Sequence, residues 1–385
     1  MSYLSNDAIN RVHLHTAIQA LAQGAGGVFV MVFLLRAGVP LPAVFATTAA
    51  IVAMRFLLRP AVLPLAKRFG LRGILITGCV LEAAMFPILP YVHGLNGALA
   101  AVIVVGAVGS VLYWTTYHAY YSTLGDAEHR GDQVGAREAM TTVIGVAAPA
   151  LGGWALVTLG PQAAFLIVAV IQVIAALPLL GAPKIQIETQ PPGAFRSYLE
   201  GGLIMATDGW FAASFHYVWL VALFVALGKG YAVFGGAMAL AGVAGAACSL
   251  IVGRFIDLGH GRTAVFIAYG LCAVTILTMA FSIGSPWLAV GANAMGAVAA
   301  AVLLPVLMAR VYNLAKASPC TLRFHVATEA GWDLGCGAGC LLAAAITWAG
   351  GSLAMAMLPA LIGVVAAEAL LLRGYARESA TVEQL

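Results

Sequence analysis

The chain alternates between long apolar runs and short polar segments. Each run is close to the roughly 20 residues that an α-helix needs to cross the hydrocarbon layer of a bilayer. Such runs are too long for strands of a membrane β-barrel, and charged residues, Gly and Pro separate them. The pattern predicts twelve membrane-spanning helices, at residues 14–35, 41–65, 74–92, 98–121, 139–159, 162–180, 199–227, 231–252, 263–283, 287–311, 324–348 and 352–372.

The composition also indicates a membrane protein. The sequence is 62% hydrophobic and 9% charged, whereas about a quarter of the residues of a soluble domain are charged. With 19 Lys and Arg and 15 Asp and Glu, 385 residues cannot form the surface of a water-soluble protein. We therefore exclude a soluble enzyme and a nucleic-acid-binding protein, and we expect neither enzymatic activity nor a cofactor.

The basic residues predict how the helices are oriented. If the amino terminus lies in the cytoplasm, fifteen of the 19 Lys and Arg fall on the cytoplasmic side. Two others, Arg36 and Lys229, fall outside, and Arg55 and Arg59 lie within the second span. Cytoplasmic loops of membrane proteins carry such an excess of basic residues. The asymmetry supports the count of twelve spans, with both termini in the cytoplasm.

The chain divides into two comparable halves. The longest polar stretch between spans contains Pro183, Pro191 and Pro192 and follows the sixth span. We predict an amino-terminal six-helix bundle at 1–181, a cytoplasmic linker at 182–198, and a carboxy-terminal bundle with a short tail at 199–385. Each half has a charged, Gly-containing loop between its second and third spans, which indicates the internal repeat that many secondary transporters share.

These loops carry sequence motifs. The first-half loop contains Arg68, Gly70 and Arg72. The second-half loop contains Gly253, Asp257 and, one place late, Arg262. In both loops the spacing resembles Gly-x-x-x-Asp-Arg-x-Gly-Arg-Arg, the loop motif of the major facilitator superfamily, although Leu63 and Lys67 replace the Gly and Asp of the motif in the first half.

A second motif lies in the fifth span. The segment 145–153 resembles the antiporter motif Gly-x-x-x-Gly-Pro-x-x-Gly-Gly of the same superfamily, through Gly145, Pro149, Gly152 and Gly153, with Ala148 replacing one Gly. The resemblance covers almost the whole chain. It implies an all-α membrane protein in which two pseudo-symmetric six-helix bundles move against each other, with the fifth span at the moving interface. Ordinary close packing of membrane helices would also explain the small residues.

Two pairs of charged residues lie inside predicted spans. Arg55 and Arg59 share one face of the second span, and Glu329 and Asp333 share one face of the eleventh. The resemblance implies that these helices face each other across the two bundles. We therefore predict an ion-pair cluster that closes the cytoplasmic side; the alternative is that Arg59 extends to the lipid headgroups and Glu329 is solvated.

Asp208 is the best candidate for proton coupling. It lies in the seventh span, which the resemblance places beside the central cavity, and a carboxyl group within a membrane is a candidate for proton exchange. Backbone groups or arginines could instead satisfy it structurally. Glu82 in the third span is a second candidate that ranks lower.

A metal site is a weaker alternative for the eleventh span. Its residues His325, Glu329, Asp333, Cys336 and Cys340 share one helix face. They extend over roughly 22 Å of helix, which is too far for a single ion. We expect no metal.

Polar and aromatic residues of the first, fourth, seventh and tenth spans are candidates for the solute cavity that the resemblance implies. Such side chains can stack on a solute and hydrogen-bond to it. Some of the aromatic residues near span ends could instead be interfacial anchors. The candidates are His15, Gln19, Gln23, Trp114, Tyr117, His118, Trp210 and Asn293.

Together these features predict a secondary active transporter of a small organic solute. We expect a monomer in the lipid of the cytoplasmic (inner) membrane that is coupled to protons and exports its solute by antiport. Proton symport of a nutrient or metal chelate is an alternative. A membrane sensor or assembly factor that uses the same fold without transport is another.

Overall fold

The computed structural model describes residues 6–124, 130–186, 195–256 and 261–382. All regular secondary structure in these ranges is helical, which confirms the predicted all-α class. Asp257 lies outside the described residues. The helices are α1 (Asp7–Ala25), α2 (Val30–Arg36), α3 (Leu41–Leu58), α4 (Val62–Met85), α5 (Gly97–Leu124), α6 (Arg130–Thr158), α7 (Gly160–Ala175), α8 (Leu177–Leu180), α9 (Phe195–Ala212), α10 (Trp219–Ala226), α11 (Tyr231–Ile256), α12 (Gly261–Ser282), α13 (Pro286–Ala317), α14 (Thr321–Trp348), α15 (Leu353–Met357) and α16 (Ala360–Val382).

Several predicted spans consist of more than one helical piece. The first span divides at Gly26, and a short 3₁₀ turn at Gly27–Phe29 joins α1 to α2. In the second span, Pro60 lies in the 3₁₀ turn Arg59–Ala61 that follows α3. Pro lacks the N–H that an α-helix would use at this point, which accounts for the local change of helix type. Breaks of this kind follow from single residues, so apolar periodicity alone does not reveal them.

Ten described segments are long and apolar enough to cross a membrane. One of them, Leu41–Tyr91, has 51 residues, far more than a single crossing requires. It changes direction at Gly70, whose φ of 74° and ψ of 159° are not helical. A further apolar helix, Val143–Thr158, is shorter. These two features support a count of twelve, which stays a prediction, as does the division into two bundles.

Close helix packing connects the first part of the chain to the second, mainly through α14 and α11. Helix α14 packs against α3 as well as against α9, and α6 packs against α11. At both α6–α11 and α9–α14, glycines on one helix lie against backbone atoms of the other. A residue without a Cβ atom permits this approach, as in many membrane bundles.

The seventh span contains a π-helical segment at Ala213–Val218, between α9 and α10. A π turn adds one residue to the helical repeat and is common at functional sites. It changes the directions in which residues before and after it point. The orientation of Asp208 relative to Trp219 therefore depends on this segment and does not follow from their spacing.

Candidate gate and coupling site

The two charged pairs of α3 and α14 meet in the structure. Arg55 Nη2 lies 3.3 Å from Glu329 Oε2 and 3.1 Å from Asp333 Oδ1. Arg59 Nη2 donates a hydrogen bond to Asp333 Oδ2, and Arg59 Nη1 lies 3.8 Å from Glu329 Oε2. Spacing by four residues on each helix places both members of each pair on one face. We call Arg55, Arg59, Glu329 and Asp333 the four-charge cluster.

The four-charge cluster is buried. Arg59 and Asp333 are each 1% exposed, and Arg55 and Glu329 are each 7% exposed. Two guanidinium groups and two carboxylates give a formal charge of zero. Removing one partner of such a buried pair typically costs about 3–5 kcal/mol, because the remaining charge has neither water nor a counter-ion. The cluster therefore favours the arrangement in which α3 and α14 are in contact.

Residues of α5 and α13 surround the four-charge cluster. Arg59 Nη1 donates a hydrogen bond of 2.5 Å to Thr115 Oγ1. His118 Nε2 lies 3.7 Å from Glu329 Oε1, and its Nδ1 lies 3.3 Å from the hydroxyl of Tyr312. The His118 ring stacks on the ring of His325 with centroids 5.6 Å apart. His118, predicted as a cavity residue, is thus in direct contact with the cluster.

Asp208 is connected to the same cluster through Trp332. The indole N–H of Trp332 donates a hydrogen bond of 3.1 Å to Asp208 Oδ2. Arg55 Cζ lies 5.5 Å from the centroid of the Trp332 ring, within the usual range of a cation–π contact. One side chain therefore touches both the carboxylate of α9 and a guanidinium of the cluster.

Glu82 lies in a different environment. It is buried between α4, α5 and α7, and Gln172 Nε2 donates a hydrogen bond of 3.2 Å to its Oε2. Gly109 of α5 lies directly against the backbone of Glu82. A bond from a neutral amide leaves this carboxyl without a direct ion-pair partner among the described residues, and the structure does not bring Glu82 into contact with Asp208.

The cavity candidates of α1 and α5 form a connected polar group. His15 Nδ1 donates a hydrogen bond of 2.7 Å to the carbonyl oxygen of Ala175, and His15 Nε2 lies 2.9 Å from the hydroxyl of Tyr113. The Tyr117 hydroxyl lies 3.1 Å from Thr16 Oγ1 and accepts a long bond of 3.5 Å from Arg137 Nη1. These bonds fix the positions of His15 and Tyr117, so both have a structural role.

Among the other cavity candidates, Gln19 has an amide nitrogen that makes no described hydrogen bond. Gln19 is 5% exposed. Gln23 lies one turn later on the same helix and is partly buried. Trp114 is also partly buried, and its ring meets those of Tyr113 and His118 at centroid distances of 5.1 and 5.9 Å. The role of Gln19, Gln23 and Trp114 as cavity residues stays a prediction.

The two remaining cavity candidates are engaged by protein atoms. The indole N–H of Trp210 donates to the carbonyl oxygen of Pro359 at 2.7 Å. Asn293 accepts a bond of 3.0 Å from the indole of Trp219 and donates one of 3.1 Å to the carbonyl oxygen of Ala237. Both side chains connect helices in this conformation.

The Gly-Pro segment of α6 packs against two helices, α11 and α1. The backbones of Gly145 and Pro149 lie against Gly242 and Gly235 of α11, and Gly153 lies against the carbonyl group of Tyr231. Gly152 instead faces the backbone of Ala25 in α1. The motif therefore packs one helix against two neighbours at once.

The first-half loop holds the segment that follows α8. Arg72 Nη1 donates hydrogen bonds of 3.0 and 2.7 Å to the carbonyl oxygens of Leu180 and Ala182. The N–H of Leu71 donates to Ile185 at 3.1 Å, next to Gly70, whose positive φ suits glycine. Arg68 is exposed and lies over the ring of Phe69. In the second-half loop, Gly253 is part of α11 and Arg262 of α12 is exposed.

Sequence reasoning missed Trp332, Tyr312 and Thr115 as neighbours of the charged residues. Thr115 lies on α5, far along the chain from Glu329 and Asp333, and Tyr312 lies on α13, the helix before α14, so no spacing within one helix joins them to the acidic pair. Trp332 could have been found, because it directly precedes Asp333 and lies three residues after Glu329. Among the described residues, no group of three or more His, Cys, Asp and Glu could hold a metal ion.

Comparisons with known proteins agree with this architecture. The family profile described as Major Facilitator Superfamily matches residues 38–318. A comparison with curated protein sequences gives no match.

Solved structures are similar over nearly the whole chain. The crystal structure of the human organic anion transporter MFSD10 (TETRAN) has a TM-score of 0.69 and 16% identity, over 95% of this chain and 99% of its own. FucP, a Major Facilitator Superfamily transporter in the outward conformation, has a TM-score of 0.66 and 13% identity, over 94% and 97%. A second structure of FucP, the E. coli fucose:proton symporter, has the same TM-score and identity over 96% and 98%. The predicted resemblance is confirmed: the chain is a multi-pass membrane protein that belongs to the Major Facilitator Superfamily and has the fold of its transporters.

Proposed function

We propose that this protein is a secondary active transporter that moves a small organic solute by alternating access and is coupled to protons through Asp208. The four-charge cluster acts as the cytoplasmic gate between the two bundles. Protonation and deprotonation of Asp208 bias the equilibrium between the conformations with this gate closed and open. The protein works in the cytoplasmic membrane as a monomer.

The observation that carries this proposal is the buried four-charge cluster between α3 and α14. Ion pairs spaced this way could simply hold two helices together, but a permanent contact is made more cheaply by apolar side chains. A contact that must open and close benefits from charges, because water can solvate them once the helices separate. Asp208 is joined to this cluster by Trp332 and is only partly buried.

The solute is a neutral or singly charged organic molecule with a ring. The buried guanidinium groups of Arg55 and Arg59 are paired with Glu329 and Asp333, and that of Arg137 contacts Tyr117 and Tyr121, so these groups are already engaged and a multiply charged anion is disfavoured. The unused amide nitrogen of Gln19 and the partly buried ring of Trp114 suit hydrogen bonding and stacking instead. Gln23 and His118 complete this set of contacts.

Export by antiport is the favoured direction, because the Gly-Pro segment of α6 resembles the antiporter motif and packs along α11. Symport is the second candidate, and the similarity to the fucose:proton symporter FucP favours it. Both modes use one proton site and one gate. They differ in whether solute binding requires Asp208 to be charged or neutral.

The test is a solute screen in proteoliposomes with an imposed pH gradient, using wild type and the variant Asp208→Asn. Wild type is expected to move a solute with the gradient, and the direction of movement separates antiport from symport. The variant cannot exchange a proton at this position, so we expect it to exchange solute without responding to the gradient. Asp7→Asn, at an exposed residue of α1, is the matched control.

Each outcome has a clear meaning. Loss of gradient response in Asp208→Asn alone supports the proposal. An unchanged pH dependence in that variant would remove Asp208 from the mechanism. If wild type moved no solute across a broad library, a membrane sensor or assembly factor with the same fold would be the better description.

A further inference from the structure

We infer that Trp332 is a positioning residue that transmits the protonation state of Asp208 to the four-charge cluster. This inference rests on the proposed function, because it gives Asp208 and the cluster the roles described above. It adds the physical connection between them, which neither the sequence motifs nor the family resemblance specifies.

The Trp332 side chain makes two contacts that join Asp208 to the four-charge cluster. The Trp332 indole N–H donates to Asp208 Oδ2 at 3.1 Å, and the face of the same ring lies 5.5 Å from Arg55 Cζ. Arg55 is in turn paired with Glu329 at 3.3 Å and with Asp333 at 3.1 Å. A continuous chain of contacts therefore runs from the α9 carboxylate to the cluster, through a single rigid ring.

The backbone around Trp332 holds this ring in place. On either side of it, Gly331 and Gly335 lie against the carbonyl groups of Gly202 and Ala206 of α9. Such close approach leaves α14 little freedom to slide along α9. A change in the bond to Asp208 is therefore taken up by the Trp332 side chain, which is the movable part.

The sign of the effect follows from the charge of the acceptor. An N–H bonded to a carboxylate makes a stronger hydrogen bond than one bonded to a neutral carboxyl group. Ionised Asp208 therefore holds the indole where its face supports Arg55, and the cluster stays closed. Protonation weakens that bond, the ring loses its fixed position, and Arg55 separates more easily from Glu329 and Asp333. Acidification thus loosens the gate.

Other titratable groups lie around Asp208 and contribute to its response. They approach it from α12, α14 and α16. Glu329, Cys272 and Tyr269 lie within electrostatic reach of Asp208. Glu368 lies within electrostatic reach of Tyr269. Of the described residues around Asp208, Trp332 is the one that donates a hydrogen bond to it. Replacing Trp332 should therefore separate proton binding at Asp208 from opening of the gate.

The experiment is hydrogen exchange measured by mass spectrometry on the full chain in lipid nanodiscs. In wild type, residues 53–59 should exchange about tenfold faster near pH 5 than near pH 8, after correction for intrinsic rates. In Asp208→Asn, exchange should be fast at both pH values. In Trp332→Phe, which keeps an aromatic ring for Arg55 but has no N–H, the pH dependence of this segment should fall to less than about twofold.

The matched control is Trp348→Phe, the same change at an exposed residue at the end of α14. It should retain the wild-type pH dependence. The double variant Trp332→Phe with Asp208→Asn should behave like either single variant, because both remove the same hydrogen bond.

The outcomes separate this inference from the proposed function. If Asp208→Asn removes the response of transport to the pH gradient but Trp332→Phe keeps the full pH dependence of exchange, Trp332 does not transmit the signal. Additive effects in the double variant would lead to the same conclusion. Exchange at 53–59 that does not depend on pH in wild type would overturn the inference even if no variant folds.

Discussion

At the scale of single residues, the four-charge cluster shows why charged side chains can persist in a membrane bundle. Arg59 and Asp333 are almost completely buried, and each finds its counter-ion on the facing helix. An isolated charge in this environment would be costly, whereas a neutral set of four is stable as long as both helices stay together. The stability of each residue therefore depends on a helix elsewhere in the sequence.

Charge reversal tests this dependence. Asp333→Arg should abolish transport, because three guanidinium groups would then surround Glu329. Adding Arg59→Asp should restore part of the activity by re-forming an ion pair with opposite polarity, as measured by solute uptake or efflux in proteoliposomes.

The control for this swap is a second ion pair, which is partly buried. Arg310 and Glu200 lie 2.8 Å apart, between α13 and α9 and away from α3. Exchanging their charges should leave the α3–α14 contact unaffected. In the fraction of this variant that folds, the response of transport to the pH gradient should therefore be unchanged. If no combination at Asp333, Arg55 and Arg59 restored activity, pairing across α3 and α14 would lose its support.

At the scale of elements, small residues decide how closely helices approach. On α11, Gly235 lies against the carbonyl oxygen of Pro149, and the next residue, Gly236, is exposed. Of these two adjacent glycines, Gly235 faces α6 and Gly236 does not. The missing Cβ atom of Gly235 therefore permits the close packing of α6 and α11, whereas that of Gly236 has no such effect.

Adding one methyl group to each glycine tests this difference. Gly235→Ala would place a Cβ against backbone that cannot move aside cheaply, so it should destabilise the protein by roughly 1–3 kcal/mol and slow transport. Gly236→Ala meets no described atom within 4 Å and should change neither property. Thermal unfolding in detergent and transport rate measure the two effects; equal behaviour of the two variants would contradict the role given to this interface.

At the scale of the whole molecule, the first-half loop, which lies around Gly70 within α4, is connected to the start of the predicted inter-bundle linker. Arg72, Leu71 and the hydroxyl of Tyr120 bond to carbonyl oxygens of residues 180–185. The first-half loop carries Lys67 where the superfamily motif has Asp, and Arg72 uses backbone carbonyl groups as its partners. This loop therefore fixes where the chain leaves the first group of helices.

Arg72→Ala should release this segment. We expect hydrogen exchange over residues 177–186 to become roughly tenfold faster, because two charge-assisted bonds to backbone carbonyl groups are lost. Arg68→Ala, in the same loop, removes an exposed guanidinium whose described contact is the Phe69 ring, and it should leave that segment as protected as in wild type. Equal exchange in the two variants would show that Arg72 does not hold the segment.

The approximate positions of most membrane helices could be predicted from the sequence, because bilayer thickness sets the length of apolar runs. The residues at which the helices begin and end could not be predicted in this way. Helix α1 begins at Asp7, where Asn6 caps it, although the predicted span began at residue 14. The apolar run marks only the part of a helix that lies in lipid, whereas the helix continues into water for as long as capping and backbone bonds support it.

By itself, the sequence determined that this protein is a helical membrane protein of the Major Facilitator Superfamily and which charged residues lie within its helices. Both follow from properties read along the chain: apolar run length, helical spacing and motif residues. Tertiary structure decided what each residue touches: Trp332 joins Asp208 to Arg55, Asn293 bonds to other helices, and Trp210 bonds to the turn between α15 and α16. Such contacts depend on helix rotation, on the π-helical segment of the seventh span and on glycine packing, all of which arise between elements far apart in the sequence.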